Sequence, residues 1–488
     1  MFAPATRVSP LNQAPLNPEG ACVVYWMTAA RRTAFNFGLE HAAAWARKLG
    51  KGLVVLEALR LDYPHASPRL HAFICQGMAD NARALGGRPL LYHPYLEPQA
   101  GAGKGLLRAW AARACLVVCD WYPCFFLPRM LAAAGRSLTV RLEAVDSCGL
   151  LPLAAAPKVF SRAFDFRRWL QKNLPGHLAE APLADPLAGD LPAPPALPRE
   201  MARRWPAATE RDLASGAAWA KLPLPAGPPA ARGRRGGPRA ALAAWRDFLQ
   251  GGLAEYAERR NQPRPGATSG LSPYLHFGHI SAHQVFQELA AQEAWAPSAL
   301  GPESKGQREG WWGMSASAEA FLDQLVTWRE LGYNYCQGRP DYDRYESLPA
   351  WARSTLEAHA NDRRPYVYGP EQLERAASHD EIWNAAQRQL REEGVMAGYL
   401  RMLWGKKILE WSPTPQRAVE TMIRLNDRYA LDGRDPNSYA GIFWCLGRYD
   451  RAFGPERPVF GKVRYMSSAS TRRKLRLAEY LARFAAGA

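Results

Sequence analysis

Four tryptophans in the C-terminal part of the chain, Trp383, Trp404, Trp411 and Trp444, have a residue type and spacing that could support chemistry. Indole rings are readily oxidised, and rings in van der Waals contact can pass an electron along. Trp404 and Trp411 are seven residues apart in a segment with a helical pattern, so at about 100° per residue they share one helix face. Large aromatic residues also simply fill helical cores, and spacing alone leaves that alternative open.

Polar residues stand among these tryptophans. Arg401 lies about one helical turn before Trp404, and Asn426 and Asp432 follow in LNDRYALDGRDPN (425–437). A guanidinium can hold an anionic ligand or form a salt bridge with a carboxylate. The residues themselves leave open whether Arg401 and Asp432 form a ligand site or a structural ion pair.

A segment upstream could bind phosphate groups. In GATSGLSPYLHFG (266–278), the hydroxyl residues Thr268, Ser269 and Ser272 stand at the beginning of a helical stretch. Backbone N–H groups at a helix start, together with hydroxyl groups, can bind a diphosphate. The same pattern is also that of an ordinary helix N-cap.

Length, charge and cysteine usage limit the class of protein. The chain has 488 residues, which favours two domains. Its net charge of +17 favours a polyanionic partner such as nucleic acid, although the charge could also serve only to keep the protein soluble. Eight scattered cysteines show no zinc-ligand spacing, so we expect no metal site and a reduced compartment. Without a signal-peptide pattern or an 18-residue apolar run, we expect a cytoplasmic protein with no membrane contact.

The secondary-structure pattern changes along the chain. Apolar, β-branched runs that read as strands lie at 21–27, 52–59, 88–95, 115–121 and 138–145. Helical stretches alternate with them, which predicts a doubly wound parallel sheet, and no GxGxxG motif follows the first strand to indicate the usual dinucleotide site. We predict an α/β domain over 1–180, a linker rich in Pro, Gly and Ala over 181–240, and an all-α domain over 241–488.

Two features of the helical part complete this reading. Helical periodicity dominates from about 241 onward, for example in the segments 240–260 and 320–336. The segment 292–318 reads as a surface insertion, in which Trp311 and Trp312 are expected to be exposed.

Several long blocks of sequence resemble the class II cyclobutane-pyrimidine-dimer photolyases of the photolyase/cryptochrome family. They are LSPYLHFGHIS (271–281), WRELGYNYC (328–336), WNAAQ (383–387), GYLRMLWGKKILEW (398–411), LNDRYALDGRDPNSYAGIFW (425–444) and ERPVFGKVRYM (456–466). The blocks keep the family's order, and the N-terminal half resembles the family more loosely. The resemblance implies an antenna-type α/β domain, a helical FAD-binding domain, and light-driven repair of pyrimidine dimers in damaged DNA by electron transfer from photoexcited reduced FAD.

The resemblance also implies which residues hold FAD. They are Thr268, Ser269, Leu271 and Ser272 of the diphosphate loop, the salt-bridged pair Arg401 and Asp432 beside the isoalloxazine, Asn426 facing flavin N5, and Asn437. Trp404 and Trp383 match the dyad that photoreduces the flavin, with Trp404 nearer the flavin and Trp383 nearer solvent, and Trp411 would be an outer branch.

On the substrate side, Trp328 and Trp444 match the two aromatic walls around the flipped lesion. Met402 matches a methionine that packs on the lesion, although ordinary core filling explains it equally well. Arg451 and the basic tail 462–476 are candidate phosphate contacts, and we expect the protein to act as a monomer.

The chain departs from the family at three places. Gln324 stands where class II enzymes carry the Glu that hydrogen-bonds the dimer carbonyl, and a carboxamide can donate a hydrogen bond but cannot supply a proton. MTAARRT (27–33) and VDSCG (145–149) replace two N-terminal motifs, which leaves an antenna of the 8-hydroxy-5-deazaflavin type open. The alternatives are a cryptochrome-like photoreceptor with weak or no repair activity and, from charge alone, a flavin-independent nucleic-acid-binding protein.

Overall fold

The computed structural model describes residues 1–486, and within this range six strands form one sheet. They are β1 (Val8–Pro10), β2 (Cys22–Trp26), β3 (Gly52–Leu59), β4 (Leu91–Leu96), β5 (Ala114–Trp121) and β6 (Leu142–Asp146). Their spatial order is β1-β6-β5-β2-β3-β4, with β1 antiparallel to β6 and the other neighbours parallel. This order confirms the predicted doubly wound sheet. The edge strand β1 was not expected because VSP has no apolar run.

Helices cover both faces of the sheet. They are α1 (Phe37–Leu49), α2 (Pro68–Leu85), α3 (Leu106–Ala111) and α4 (Leu127–Ser137), whereas the next helix, α5 (Ala163–Asn173), packs on the turn at Asp323–Trp328 of the helical part. Alternate residues of β2 enter two separate cores: Val24 packs with Trp110 of α3 on one face, and Tyr25 packs with Phe37 of α1 on the other. Strand order reverses between β2 and β5, and in such sheets a crevice forms there at the carboxyl ends of the strands.

The segment 181–240 packs along the first domain. It contains the short helices α6 (Arg199–Arg204), α7 (Glu210–Ser215) and α8 (Ala217–Ala220). Trp205 anchors it, because its carbonyl oxygen lies 2.9 Å from His93 Nε2 and its indole N–H donates to the Ala102 carbonyl at 3.0 Å. Further on, the Gly236 N–H donates to Gln76 of α2 at 2.7 Å. These contacts hold the path of the segment between the sheet and the helices that follow.

The rest of the described chain is helical. Its helices are α9 (Pro238–Asp247), α10 (Tyr256–Arg259), α11 (Ser272–His276), α12 (Ala282–Gln292), α13 (Ala316–Leu322), α14 (Arg329–Gly338), α15 (Ala350–Ala358), α16 (Pro370–Glu374), α17 (Glu381–Glu393), α18 (Gly398–Trp411), α19 (Pro415–Tyr429), α20 (Pro436–Trp444), α21 (Ser468–Lys474) and α22 (Ala478–Arg483). Over residues 1–486, no helix combines the length and apolar character needed to cross a bilayer.

The structure refines one sequence expectation about this part and contradicts another, the exposure of Trp311 and Trp312. The segment 240–260 is helical as predicted but divided, because α9 runs into a π-helical turn at Phe248–Gly252 and α10 begins only at Tyr256. The adjacent glycines 251 and 252 explain the break, since glycine is unfavourable inside a helix. Trp311 and Trp312 are buried, at 3% and 6% exposure, and Trp312 packs against Phe286.

The two domains are in close contact beside the sheet. Gly278 has a φ of +70°, and a Cβ atom there would lie 1.9 Å from the carbonyl oxygen of Ala29, in the loop after β2. Arg32 of the same loop donates to the Gly278 carbonyl at 3.1 Å. Only glycine permits this approach, so the segment after α11 is locked onto the first domain.

Candidate functional site

A partly buried ion pair joins two segments of the helical part. Arg401 of α18 donates from Nη2 to Oδ1 of Asp432 at 2.9 Å, and Asp432 lies in the loop between α19 and α20. Burial alone would raise the pKa of Asp432, but the Arg401 guanidinium and the neighbouring Ser272 hydroxyl hold it below its usual value. The carboxylate is therefore ionised at neutral pH, and α18, the 430–435 loop and the beginning of α11 meet at it.

Asn426 lies near this pair in sequence and is held in one orientation. Its Nδ2 donates to Ser438 Oγ at 2.6 Å and to Asp427 Oδ1 at 3.0 Å, and the side chain is buried in α19. Asp427 is itself fixed, because it also accepts from the Tyr439 hydroxyl at 2.9 Å. With the NH₂ group engaged, the carbonyl oxygen of the carboxamide is the group that can meet a ligand.

The loop before α11 has the groups that bind a diphosphate. Thr268 and Ser272 are exposed, while Leu271 is buried and anchors the loop in the core. Ser269 Oγ accepts from the Leu271 N–H at 3.4 Å, and Gly270 adopts a φ of +64°. Nη1 of Arg234 would lie 3.7 Å from a Cβ atom on Gly270, which brings a cation from the 181–240 segment beside the hydroxyl groups. Together with the Arg401–Asp432 pair, this donor set fits FAD.

Three tryptophans of α17 and α18 form a chain with two different links. The Trp383 indole N–H donates to the backbone carbonyl of Trp404 at 3.1 Å, and the Trp383 and Trp411 rings pack with their centroids 5.5 Å apart at 71°. The Trp404 indole N–H donates to Gln387 at 2.8 Å. All three rings are buried, so Trp383, which we expected to lie nearer solvent, does not itself reach the surface.

Further aromatic residues continue this chain to the surface. Tyr368 contacts Trp411 with ring centroids 5.3 Å apart, and its hydroxyl lies 2.6 Å from His379 Nδ1. Tyr366, which is 50% exposed, stacks on His379 at 3.8 Å. Sequence reasoning missed these three residues, because the segment 366–379 lacks helical periodicity to align it with Trp411.

A π-helical turn over Asp323–Trp328 carries two residues that the resemblance assigns to the lesion, Gln324 and Trp328. Asp323 faces inward, bound by Arg167 at 2.9 Å, and accepts from the Trp328 indole N–H at 3.1 Å. The next residue, Gln324, is exposed. The two polar residues therefore have different tasks: the carboxylate holds Trp328, and the carboxamide is free to contact a ligand. Turns of this kind occur frequently at functional sites.

The other residues that the resemblance assigns to the lesion lie on or near α18 and α20. Trp444 is the last residue of α20 and is half-buried, as is Met402 of α18, whereas Arg451 is exposed. Asn437, which the resemblance assigns to the cofactor, is exposed at the beginning of α20. The helix that follows Trp328, α14, packs directly on α20: a Cβ atom on Gly332 would lie 2.9 Å from the Pro436 carbonyl oxygen. This close packing ties the elements that carry Trp328 and Trp444 together.

A second candidate site, which the sequence did not predict, is a cavity of about 500 Å³ at the carboxyl ends of the parallel strands. Its lining includes Trp26, Leu59, Tyr63, Tyr95, Phe126, His276, Phe277 and Arg434. It lies where the strand order reverses, which is where open α/β sheets bind ligands. Tyr122 of its wall donates to Asp435 at 2.7 Å, and Asp435 begins α20, so the cavity and the helical site share a wall.

Comparisons with known proteins identify the family. No family model matches the chain. The deoxyribodipyrimidine photo-lyase of Methanothermobacter thermautotrophicus is 34% identical over 98% of this chain and 98% of its own length. The enzyme of that name from Oryza sativa subsp. japonica is 35% identical over 95% of this chain and 87% of its own length. The chain therefore belongs to the photolyase/cryptochrome family.

Solved structures agree on the fold. A bacterial class III photolyase from Agrobacterium tumefaciens superposes with a TM-score of 0.67 at 18% identity, covering 95% of this chain and 86% of its own. A cryptochrome from Synechocystis sp. gives 0.65 at 14% identity, covering 95% and 88%. At these low identities the similarity establishes the fold alone, which combines a sheet domain with a helical domain.

The ion pair makes a specific contribution to stability. Asp432→Asn is expected to lower the free energy of unfolding at pH 7 by about 2 kcal/mol, less than for a fully buried pair because Arg401 keeps some contact with solvent. Since the folded pKa of Asp432 lies below its unfolded value, this contribution is present at neutral pH and is lost as the pH falls below about 4. Urea denaturation at pH 7 and at a pH below about 4 measures the free energy of unfolding of the unmodified protein and of the variant. Asp247→Asn, at an exposed position, is the control; equal effects of the two substitutions would contradict the assignment.

Proposed function

We propose that this protein is a class II deoxyribodipyrimidine photo-lyase, which repairs cyclobutane pyrimidine dimers in damaged DNA using light and FAD. The observation that carries the proposal is the convergence of the Arg401–Asp432 pair, the fixed carboxamide of Asn426 and the buried Trp404 in one helical layer. Nearly full-length relatives named deoxyribodipyrimidine photo-lyase, at 31–35% identity, support it.

The residues of the helical site fit the binding of FAD, which, when bound in its reduced form, supplies the electron that opens the cyclobutane ring on illumination. The Arg401 guanidinium stabilises negative charge on the flavin ring, and Asp432 keeps that guanidinium in place. The carbonyl oxygen of Asn426 accepts a hydrogen bond at the ring edge. Thr268, Ser272 and backbone N–H groups hold the diphosphate.

The lesion-side residues fit a flipped-out dimer. Trp328 and Trp444 offer indole faces, and stacking of this kind contributes about 1–3 kcal/mol per base. The exposed Gln324 donates a hydrogen bond to a dimer carbonyl, where a carboxylic acid would also offer a proton. Arg451 and the basic tail contact phosphates, in keeping with the net charge of +17.

A dimer-repair assay tests the proposal. The purified protein, loaded with reduced FAD, is incubated with dimer-containing oligothymidylate under blue light, and restored thymine absorbance is the expected result. Retained FAD without restored absorbance would instead favour the cryptochrome-like photoreceptor. Protein that neither contains nor takes up FAD would contradict both functions and leave the nucleic-acid-binding alternative.

Gln324→Glu gives the sharpest test of the substrate assignment. Only a protonated carboxyl group donates a hydrogen bond to the negatively charged dimer, so we expect up to about tenfold more repair per absorbed photon at about pH 4–5, where a larger share of the exposed glutamate is protonated, and no gain at pH 8. Gln324→Met, of similar size but without a donor, should lower repair below that of the unmodified chain. Equal yields in all three proteins would show that residue 324 does not touch the dimer.

Trp404→Phe tests the electron path. The variant should retain FAD but lose light-driven reduction of oxidised FAD with an external thiol donor, because phenylalanine is far harder to oxidise than indole. Absorbance changes under blue light provide the measurement. Trp245→Phe, at a buried tryptophan of another core cluster, is the control and should photoreduce normally. Normal kinetics in Trp404→Phe would remove Trp404 from the path.

The cavity at the end of the sheet supports a second binding function, that of an antenna chromophore of the 8-hydroxy-5-deazaflavin type. Aromatic side chains such as Trp26 and Tyr63 suit a flat ring system, and Arg31 and Lys104 suit an anionic tail. Ala58→Trp, which fills the cavity, should abolish binding measured by the anisotropy of chromophore fluorescence. Binding that survives this substitution would place the antenna elsewhere.

The remaining expectations stay predictions. The domain bounds 1–180, 181–240 and 241–488 are supported by a sheet confined to residues 8–146 and by candidate site residues that lie between 268 and 451. A monomer and a cytoplasmic location are not tested by the fold.

A further inference from the structure

A buried lysine lies against the aromatic wall residue Trp444. Nζ of Lys406 is 5.1 Å from the centroid of the Trp444 ring and donates to the Cys445 carbonyl oxygen at 2.7 Å. The lysine side chain has no exposed surface. Helices α18 and α20 approach this closely because residue 405 is glycine: a Cβ atom there would lie 2.6 Å from Cys445 Sγ. The sequence around Gly405 therefore places a cation under the indole ring.

Among residues 1–486, no carboxylate forms a salt bridge with Lys406. The ammonium of Lys406 is held by a backbone carbonyl at the C-terminal end of α20, where the helix dipole favours a cation. Asp450, the nearest acidic group to influence it, is already bound by Arg464 at 2.9 Å. Burial lowers the pKa of Lys406 to about 8, so the side chain is charged at neutral pH.

Two nearby cations provide a contrast. Arg464 lies 5.6 Å from the same ring, but it is paired with Asp450 and its side chain is 45% exposed, so solvent and the carboxylate screen its charge. Lys407, the next residue along α18, lies 5.5 Å from Trp411 and is paired with Glu410 at 2.7 Å. Lys406 is thus the cation here whose field acts on an indole ring without a paired carboxylate.

Such a cation makes an indole ring harder to oxidise. The ring's π electrons are attracted to the ammonium, and loss of one electron would leave a positive charge about 5 Å from a fixed positive charge in a medium of low dielectric constant. Trp444 is therefore a poor electron donor for as long as Lys406 keeps its proton.

We propose that Lys406 is a positioning residue that keeps Trp444 reduced, so that light-driven oxidation is directed to the Trp404–Trp383–Trp411 chain and the lesion wall is preserved. The proposal rests on the proposed function. The step is the transfer of one electron from an indole ring to photoexcited oxidised FAD; no bond forms or breaks, and an external thiol returns the electron to the ring.

The electrostatic coupling is testable without FAD. In protein labelled with 5-fluorotryptophan, the fluorine resonance of Trp444, assigned by its loss in Trp444→Phe, should shift with a midpoint near pH 8. In Lys406→Met, of similar length and without charge, the resonance should not titrate. Cys445 does not titrate in this range, because burial raises its pKa to about 11. The charged groups beside Lys406 are Asp450 and Arg464, which are paired with each other at 2.9 Å. A resonance of the unmodified chain that stays constant from pH 7 to 9 would overturn the coupling.

The functional consequence is a gain of activity. The Trp404→Phe variant loses light-driven reduction of FAD. Adding Lys406→Met to this variant should raise the rate of FAD photoreduction at least about threefold, because Trp444 becomes an electron donor. Adding Trp444→Phe as a third substitution should remove this gain. In the single variant Trp404→Phe, which keeps Lys406, light-driven reduction of FAD should return as the pH rises above about 8 and Lys406 loses its proton.

Controls separate this inference from the proposed function. Adding Lys407→Met to Trp404→Phe should not restore FAD photoreduction. Lys407 lies beside Trp411, and electrons from Trp411 would still have to pass through position 404, where the substitution blocks them. If the unmodified protein photoreduces FAD but neither Lys406→Met nor high pH restores reduction in Trp404→Phe, the inference is wrong and the proposed function stands. If the unmodified protein binds no FAD, the proposed function fails, and the fluorine titration still decides whether Lys406 and Trp444 are coupled.

Discussion

The carboxylate of Asp432 is the point on which the helical domain depends. A buried carboxylate is tolerated only with partners close by, and its partners come from separate segments: the guanidinium from α18 and the nearby Ser272 hydroxyl from the beginning of α11. The ion pair therefore fixes the distance between the loop that suits a diphosphate and the helix that carries Trp404. The same contact that closes the core also sets the span of a dinucleotide site.

The π-helical turn at Asp323–Trp328 shows how a local change in helix geometry separates structural from functional side chains. Two consecutive polar residues would lie about 100° apart on a regular helix, and here one is buried against Arg167 while the other reaches solvent. Because Asp323 is committed to Arg167 and the Trp328 indole N–H, it cannot take over the role of an acid at position 324. The replacement of Glu by Gln thus leaves a hydrogen-bond donor there but no local proton source.

Much of the fold follows from the sequence, because buried parallel strands and amphipathic helices leave periodic signals. The runs around Val23, Val54 and Val117 are such strands, and all lie in the sheet. What the sequence did not predict depends on contacts between distant segments: the burial of Trp311, the break at Gly251, the cavity and the Tyr368–His379 pair. Most site residues were assigned by resemblance, since spacing alone reads Trp383 and Trp404 as core residues. The structure places both rings in the core of α17 and α18, and their part in electron transfer stays a prediction.

The positions of two buried lysines add a constraint that follows neither from the fold nor from the family resemblance. Lys406 and Lys407 are adjacent and both buried, yet one is paired with a carboxylate and the other is held by a backbone carbonyl. In a low-dielectric interior that difference bears on which aromatic ring can lose an electron, because the unpaired ammonium lies against the half-buried Trp444 and the paired one beside the buried Trp411. A protein that must pass electrons through some tryptophans and stack substrate on others needs such a distinction. An unpaired cation under the stacking ring supplies it without placing any group between that ring and its substrate.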